Sequence, residues 1–179
     1  MGGTTKFEDA LAARLNLMQP SRSAVAAYLD AHPPSLSPGV PALVAALQAR
    51  GAAVYLVSGG FRAIIDPIAD SLNIPRAHVY ANTLIFNDDG SYAGFDRAEP
   101  TSRSGGKAAA VKTIRAGLAG DGAAAVVGAV GDGATDVEAR APGGADFFVG
   151  YGGSVVRAPV AEAADWFVMS MDELIGALE

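Results

Sequence analysis

The sequence predicts an α/β protein built on a Rossmann-like, mostly parallel sheet. Short apolar runs at 52–58 and 123–130 have the continuous hydrophobic character of strands that are buried on both faces. Stretches with helical periodicity follow these runs, so strand and helix alternate along most of the chain. The composition supplies a core, because 50% of the 179 residues are hydrophobic and only 18% are charged.

The N-terminal part of the chain is predicted to be helical and to lie outside this alternation. A helix is expected over 5–18, where Thr5 and Glu8 form a capping-box pattern. Its apolar residues share one face, namely Phe7, Leu11, Leu15 and Met18. Together with a second helix over 22–31, this segment suggests two regions: the remainder of a helical cap over 1–36 and a Rossmann-like core over 37–179.

The core elements are predicted in order from local signals. A helix over 39–50 ends at Gly51, a residue type that favours the left-handed conformation after a helix. The strand at 52–58 is followed by a helix over 61–72. Asp89-Gly90 is a turn signal between two short strand patterns, which predicts a β-hairpin near 83–95. The remaining expected elements are a helix at 106–118, a strand at 123–130, a short helix from Thr135, strands at 146–150 and 166–169, and a last helix capped by Ser170 and Glu173.

Composition and charge exclude several classes of function. The net charge of −6 argues against nucleic acid as a partner, because phosphate backbones require a basic face. The chain has no cysteine, which excludes disulfides and thiolate metal sites. No apolar run reaches about 18 residues and the start has no signal-peptide pattern, so we expect a soluble intracellular protein. The cytoplasm and a plastid both stay open, as does the oligomeric state, with a homodimer among the options.

Two strand ends carry polar residues where open parallel sheets bind ligands. At the first, Ser58, Gly59 and Gly60 stand just before a predicted helix. A hydroxyl and main-chain N–H groups at a helix start suit an anion such as phosphate. The competing interpretation is an N-cap with a tight glycine turn, and the three residues alone favour it.

At the second strand end, Asp132 and Asp136 lie in the segment GDGATD. Carboxylates suit Mg²⁺, which takes oxygen ligands from one or two carboxylates, from substrate phosphate and from water. A structural interpretation is adequate for Asp136, because it falls in the first turn of a helix, where the helix dipole favours a negative charge. It is weaker for Asp132, which directly follows an apolar strand, and there we favour a functional role.

Two basic residues are further candidates. Lys107 lies just inside a predicted helix start, where a cation opposes the helix dipole unless an anionic ligand is within reach. The alternative is a solvated lysine. Arg14 lies close to the apolar stripe of the first helix, where it either snorkels at the edge of the stripe or directs its guanidinium at a substrate carboxylate.

Several motifs in series resemble the phosphoserine phosphatases, which belong to the haloacid dehalogenase-like hydrolases. They are VYLVSGGFR, NIPRAHVYAN, YAGFD, SGGK and VGDGATDVEA, in that order and at similar spacing. The resemblance covers essentially the whole chain. It implies Mg²⁺-dependent hydrolysis of O-phospho-L-serine to L-serine and phosphate, the last step of L-serine biosynthesis, through an aspartyl phosphate.

The resemblance also implies a role for each matching residue. Ser58, Gly59 and Gly60 would hold the phosphate, and Lys107 would neutralise phosphoryl charge and steady the nucleophile. Asp132 would bind Mg²⁺ with Asp136 in support. The residues that would face the rest of the substrate are Met1, Gly2, Phe7, Arg14 and Thr135, with Arg14 paired to the serine carboxylate.

The sequence departs from the family pattern in one respect. The family's first motif, Asp-x-Asp-x-Thr, supplies the nucleophile and the general acid/base, and the 179 residues contain no Asp-x-Asp. The resemblance therefore implies an N-terminally truncated chain that lacks the first, mid-sheet strand. Two alternatives stay open: a catalytically inactive protein that binds phosphoserine or phosphate, and a phosphatase for another small phosphate monoester.

Overall fold

The computed structural model describes residues 6–118 and 125–178 of the chain. The first half of this part contains, in order, α1 (Phe7–Met18), α2 (Arg22–Ala31), α3 (Val40–Ala49), β1 (Leu56–Phe61), α4 (Arg62–Ser71), β2 (Val79–Asn82), β3 (Leu84–Phe86) and β4 (Tyr92–Phe95). The second half contains α5 (Gly106–Leu118), β5 (Gly128–Gly131), α6 (Ala134–Val137), β6 (Phe147–Tyr151), α7 (Ala158–Ala163), β7 (Trp166–Val168) and α8 (Met171–Gly176). The described helices are all too short or too polar to cross a membrane.

The chain divides into two compact units. The first comprises Met1–Ser35 and Tyr55–Gly106, and the second comprises Leu36–Val54 and Lys107–Glu179. The division of the sequence at residue 36 into a cap and a core stays a prediction.

The first unit combines a parallel strand pair with a β-hairpin. β1 pairs with β2 in parallel, and α4 connects the two strands and packs on both. β3 pairs with β4 in the antiparallel sense, and Gly90 in their turn has a φ of 82°, which glycine adopts without strain. Both the hairpin and its turn are therefore as predicted. The buried apolar residues of this unit are Leu15, Ala69, Leu72, Ile74, Val79, Ala81 and Phe95.

The second unit contains a three-stranded parallel sheet in the order β5-β6-β7. Its central strand carries Phe148, which has no exposed surface, and Val149, which is 3% exposed. Leu43 of α3 and Leu174 of α8 pack into the same core as Val149. A strand that is buried on both faces reads as a continuous apolar run, and FFVGY in β6 has that character. The parallel strands and covering helices of the two units confirm the predicted α/β class.

The first predicted strand was placed too early. β1 covers Leu56–Phe61 and not 52–58, because the chain stays extended through the two glycines and pairs Phe61 with Asn82. The register shifts between Val57 and Phe61, so Ser58, Gly59 and Gly60 form an irregular segment inside β1 rather than a turn after it. For the later strand, β5 covers only Gly128–Gly131, and residues 123 and 124 of the prediction lie outside the described residues.

The helix at the start of the chain also differs from the prediction. Of the four apolar residues expected on its buried face, Leu15 is buried, but Phe7 is 39% and Met18 is 64% exposed. Thr5 of the predicted capping box lies outside the described residues, and the carboxylate of Glu8 accepts hydrogen bonds from Ser104. The last helix does begin as predicted, since Glu173 accepts a hydrogen bond from the Ser170 N–H at 3.0 Å.

Candidate active site

Two candidate residues of the second unit, Lys107 of α5 and Asp136 of α6, form an ion pair. The Lys107 ammonium lies 2.6 Å from Oδ1 of Asp136, and the two side chains are 23% and 15% exposed. The other carboxylate oxygen of Asp136 accepts the Gly133 N–H at 2.9 Å. Both oxygens of Asp136 therefore make contacts within the second unit, and its supporting role stays a prediction.

Gly131 makes room for this arrangement. A Cβ placed on Gly131 would lie 2.3 Å from Cβ of Asp136, far inside van der Waals contact. The last residue of β5 therefore has to be glycine for α6 to fold back and present Asp136 to Lys107. Lys107 is the second residue of α5, where a cation opposes the helix dipole, and Asp136 supplies the compensating negative charge.

Asp132 follows β5 directly and forms a second ion pair, with Arg157. Nη1 of Arg157 donates to Oδ2 of Asp132 at 2.6 Å and to its main-chain oxygen at 2.8 Å. The two side chains are 45% and 46% exposed, so both remain accessible to ions in solution. Thr135, on the same short segment, is exposed.

The oxygen atoms of Asp132 fit one part of a Mg²⁺ coordination shell. Asp132 offers a carboxylate and a main-chain carbonyl at an accessible position, and hard cations prefer such oxygen ligands. Among residues 6–118 and 125–178, however, no three His, Cys, Asp or Glu side chains cluster as a metal site. The described residues therefore fit Mg²⁺ only where phosphate, water or further ligands complete the shell.

The segment from Ser58 to Gly60, in the first unit, is held by a buried polar network. The Ser58 hydroxyl accepts the Gly60 N–H at 3.0 Å, while the residue before α4 is Phe61, so Ser58 is not the N-cap that the structural interpretation predicts. The Asn82 amide, which has no exposed surface, donates to the Gly59 carbonyl at 2.8 Å. Asn82 in turn accepts a hydrogen bond of 2.9 Å from the hydroxyl of Thr101, which is 3% exposed. This chain of bonds fixes the direction of the Gly59 peptide.

The helix α1 brings one predicted substrate contact to this segment. The Phe7 ring lies against Gly59, with Cζ 3.5 Å from the position that a Cβ on Gly59 would take. Arg14 is exposed on the same helix, seven residues further on, so its Cα lies on the same side as that of Phe7, about 10 Å along the axis. In the described part of the chain, Arg14 forms no ion pair. Met1 and Gly2 lie outside the described residues.

Comparisons with known proteins assign the family. Residues 2–140 match the haloacid dehalogenase-like hydrolases. Over all 179 residues the chain is 47% identical to phosphoserine phosphatase of Bos taurus and covers 77% of that protein. The chain belongs to the haloacid dehalogenase-like hydrolase family. The resemblance seen in the sequence is thereby confirmed.

Other members of the hydrolase family extend the comparison. The chain is 52% identical over its full length to the chloroplastic phosphoserine phosphatase of Arabidopsis thaliana, of which it covers 59%. Among solved structures, a phosphoserine phosphohydrolase-like protein from Francisella tularensis has a TM-score of 0.82 and 28% identity. This match covers 98% of the present chain and 78% of the other. The hydrolase chain thus spans about three fifths of its plant relative's length.

Three side chains that contact the candidate residues were not predicted from the sequence. Asn82 gave no local signal, because its two partners lie 23 and 19 residues away and only the fold brings them together. Arg157 stands in a loop whose valines suggest no site. Ser104 belongs to the SGGK motif of this hydrolase, but nothing in the sequence links it to Glu8, 96 residues earlier.

Glu8 and Ser104 join α1 to the loop that precedes α5. The Glu8 carboxylate accepts the Ser104 N–H at 3.0 Å and its hydroxyl at 3.1 Å, and the Phe7 N–H donates to the same hydroxyl at 3.1 Å. The hydrogen bond from the Ser104 main chain, followed by smaller contributions, holds the pKa of Glu8 below its ordinary value of 4.5. The start of α1 is therefore fastened to this loop while Glu8 is ionised.

Proposed function

We propose that this chain is part of a phosphoserine phosphatase, which hydrolyses O-phospho-L-serine to L-serine and phosphate. The observation that carries the proposal is the alignment of all 179 residues with phosphoserine phosphatases at 52% and 47% identity. The motif residues within that alignment form the paired charges and the ordered glycine segment described above. The proposal concerns the activity of the whole protein, because the chain covers 59% of its plant relative.

In the second unit, Lys107 is the residue that we assign to charge neutralisation. An ammonium group has three N–H donors, and Asp136 uses one of them at 2.6 Å. The remaining donors are available to an oxygen of a phosphoryl group, whose negative charge is spread over its oxygens during transfer. Asp136 fixes the position of Lys107, so we assign it a positioning role. Thr135, exposed beside Asp136, is assigned to the substrate.

Asp132 is the residue that would hold Mg²⁺. A bound Mg²⁺ would draw charge from a phosphoryl oxygen and orient the phosphate for displacement. The two oxygens of Asp132 that face Arg157 are of the type that this ion prefers. The nucleophilic aspartate and the general acid/base that this chemistry requires have no counterpart in an Asp-x-Asp motif of the 179 residues.

In the first unit, Ser58, Gly59 and Gly60 are assigned to the phosphate. Asn82 donates to the Gly59 carbonyl and Ser58 accepts the Gly60 N–H, which keeps this segment ordered before an anion arrives. A preorganised segment binds an anion without the cost of ordering the loop. Phe7, against Gly59, and Arg14 on the same side of α1 are assigned to the serine part of the substrate, as are Met1 and Gly2.

Phosphate release from O-phospho-L-serine is the direct test. The 179-residue chain is assayed with Mg²⁺, alone and together with a peptide that carries an Asp-x-Asp-x-Thr strand. We expect activity only in the sample that contains the peptide, here called the complemented sample. In that sample, Lys107→Ala should lower the rate of phosphate release by several powers of ten, as loss of a charge-neutralising residue in such a site commonly does. A folded, complemented sample that releases no phosphate contradicts the proposal.

A second candidate function is favoured by the missing Asp-x-Asp motif. Without a nucleophile the chain by itself would bind phosphoserine or phosphate without hydrolysing it. Calorimetry with O-phospho-L-serine and Mg²⁺ tests this function, and the absence of binding heat from a folded sample would exclude it.

The substrate class depends on Arg14. Suppose that its guanidinium pairs with the serine carboxylate. In the chain mixed with the Asp-x-Asp-x-Thr peptide, Arg14→Ala then weakens the binding of phosphoserine more than the binding of a phosphate ester without a carboxylate. The matched control is Arg22→Ala, because Arg22 is an exposed arginine whose guanidinium stacks on Phe86. An unchanged preference in Arg14→Ala would favour a phosphatase for another small phosphate monoester.

A further inference from the structure

Arg157 contacts oxygen atoms of Asp132, the residue that we assign to the metal. It follows β6, the neighbour of β5 in the parallel sheet of the second unit, and Gly131 pairs with Gly150 at the carboxyl ends of these strands. From this loop a single nitrogen, Nη1, reaches both the Oδ2 and the main-chain oxygen of Asp132, at 2.6 and 2.8 Å. These are two of the three oxygens that Asp132 can offer to a hard cation.

The position of Arg157 is set by its own backbone. Its carbonyl accepts the N–H groups of Val160 and Ala161 at 2.9 and 3.0 Å, and it therefore begins α7. Val160 is 2% exposed and anchors this short helix. The guanidinium thus extends from a fixed point, and in the described residues Asp132 is its ion-pair partner.

The geometry points to Arg157 as a built-in counter-ion of Asp132 that competes with a divalent cation for this residue. This inference rests on the assignment of Asp132 as a metal ligand in the proposed function. The guanidinium holds two of the three oxygens of Asp132, and its positive charge repels a cation that binds any of them. Because both side chains are nearly half exposed, water screens the pair and the exchange is of modest cost.

The pairing has a consequence for metal-free protein. Asp132 would otherwise be an unpaired carboxylate at the end of an apolar strand, and Arg157 fixes its orientation before the metal arrives. Arg157 is therefore a positioning residue, and its presence lowers the affinity for a cation in the absence of phosphate. Once the cation has bound Asp132, the guanidinium is released as an additional positive group.

Titration of the 179-residue chain with Mg²⁺, followed by calorimetry and by the metal-induced rise in Tm, tests this inference. We expect Arg157→Gln to bind Mg²⁺ roughly threefold to tenfold more tightly than the unchanged chain, since it removes a nearby positive charge that water partly screens. Arg157→Lys keeps the charge and should stay within about twofold of the unchanged chain. Arg140→Gln is the matched control, because Arg140 pairs with Asp165 at 3.1 Å in the same unit at similar exposure.

The outcomes separate this inference from the proposed function. If Asp132→Asn leaves the Mg²⁺ affinity of Arg157→Gln unchanged, Asp132 is not a ligand, and the metal assignment fails together with the inference. If Asp132→Asn abolishes binding but Arg157→Gln binds no more tightly than the unchanged chain, only the inference is overturned. Failure of both the unchanged chain and Arg157→Gln to bind Mg²⁺ in folded samples also overturns it.

Discussion

Lys107 and Asp136 are 29 residues apart in the sequence, yet Nζ of one lies 2.6 Å from Oδ1 of the other. The pair is largely shielded from solvent, since the side chains are 23% and 15% exposed. It ties the start of α5 to α6 and sets the position of the residue that we assign to phosphoryl charge. The same contact therefore contributes to stability and to the candidate chemistry, and the two contributions can be measured separately.

The ion pair predicts a coupling in unfolding experiments. Lys107→Met and Asp136→Asn should each lower the free energy of unfolding by about 1–2 kcal/mol, because each leaves a partly buried charge without its partner. The double variant should cost less than the sum, with a coupling of about 1 kcal/mol in a denaturant-based double-mutant cycle. The same cycle on Arg140 and Asp165, which are 41% and 39% exposed, should give a smaller coupling. Additive effects at Lys107 and Asp136 would contradict this account.

Gly131 predicts a steric effect beside that pair. In Gly131→Ala the added methyl group would lie 2.3 Å from Cβ of Asp136, so α6 has to move. We expect a loss of about 2–3 kcal/mol in the free energy of unfolding, within the range for overpacking. Gly117→Ala in α5 is the control, since nothing lies within 4 Å of its added Cβ, and it should stabilise the helix by about 0.5–1 kcal/mol. Equal effects of the two substitutions would refute the role of Gly131.

Some residues of this site could be predicted from the sequence and others could not. The position of Lys107 at a helix start left two alternatives, an anionic ligand within reach and a solvated lysine, and this is a local electrostatic argument that needs no tertiary structure. It could not identify Asp136 as a partner, because the contact depends on how β5, α6 and α5 fold together. The contact of Arg157 with Asp132 could not be predicted for the same reason, since an arginine in a loop belongs to no periodic pattern and to no motif of fixed spacing.

The fold followed a similar division. The helix α2 has the predicted bounds and α5 begins at Gly106 as predicted, because polar residues or glycines mark these ends in the sequence itself. β1 was placed too early, since its glycines were interpreted as the end of a strand, whereas pairing of Phe61 with Asn82 keeps the chain extended. Pairing across a sheet is a non-local interaction, and local patterns do not report it.

Asn82 predicts a link between stability and anion binding in the first unit. Asn82→Ala removes a buried amide and leaves the Gly59 carbonyl and the Thr101 hydroxyl without their partner. We expect a loss of about 2–3 kcal/mol in the free energy of unfolding and weaker binding of inorganic phosphate by calorimetry. Asn87→Ala, at an exposed hairpin position, should change the free energy of unfolding by less than about 0.5 kcal/mol and leave phosphate binding unchanged. Unaltered phosphate binding in a folded Asn82→Ala sample would show that the Gly59 peptide does not contribute to the anion site.

Glu8 predicts a pH dependence of stability. Hydrogen bonds from Ser104 hold its folded-state pKa below the ordinary value of 4.5, so the unfolded chain binds the proton more readily. The stabilisation is therefore fully present above pH 4.5 and is lost as the pH falls through the lower, folded-state pKa. Denaturant unfolding between pH 7 and pH 2.5 should show the unchanged chain more stable than Glu8→Gln above pH 5, with the difference shrinking in acid. Asp9→Asn, in the same turn of α1, is the control, because the hydrogen bonds from Ser104 go to Glu8 and not to Asp9. A difference between Glu8→Gln and the unchanged chain that stays constant down to pH 2.5 would mean that the Ser104 contact does not depend on ionised Glu8.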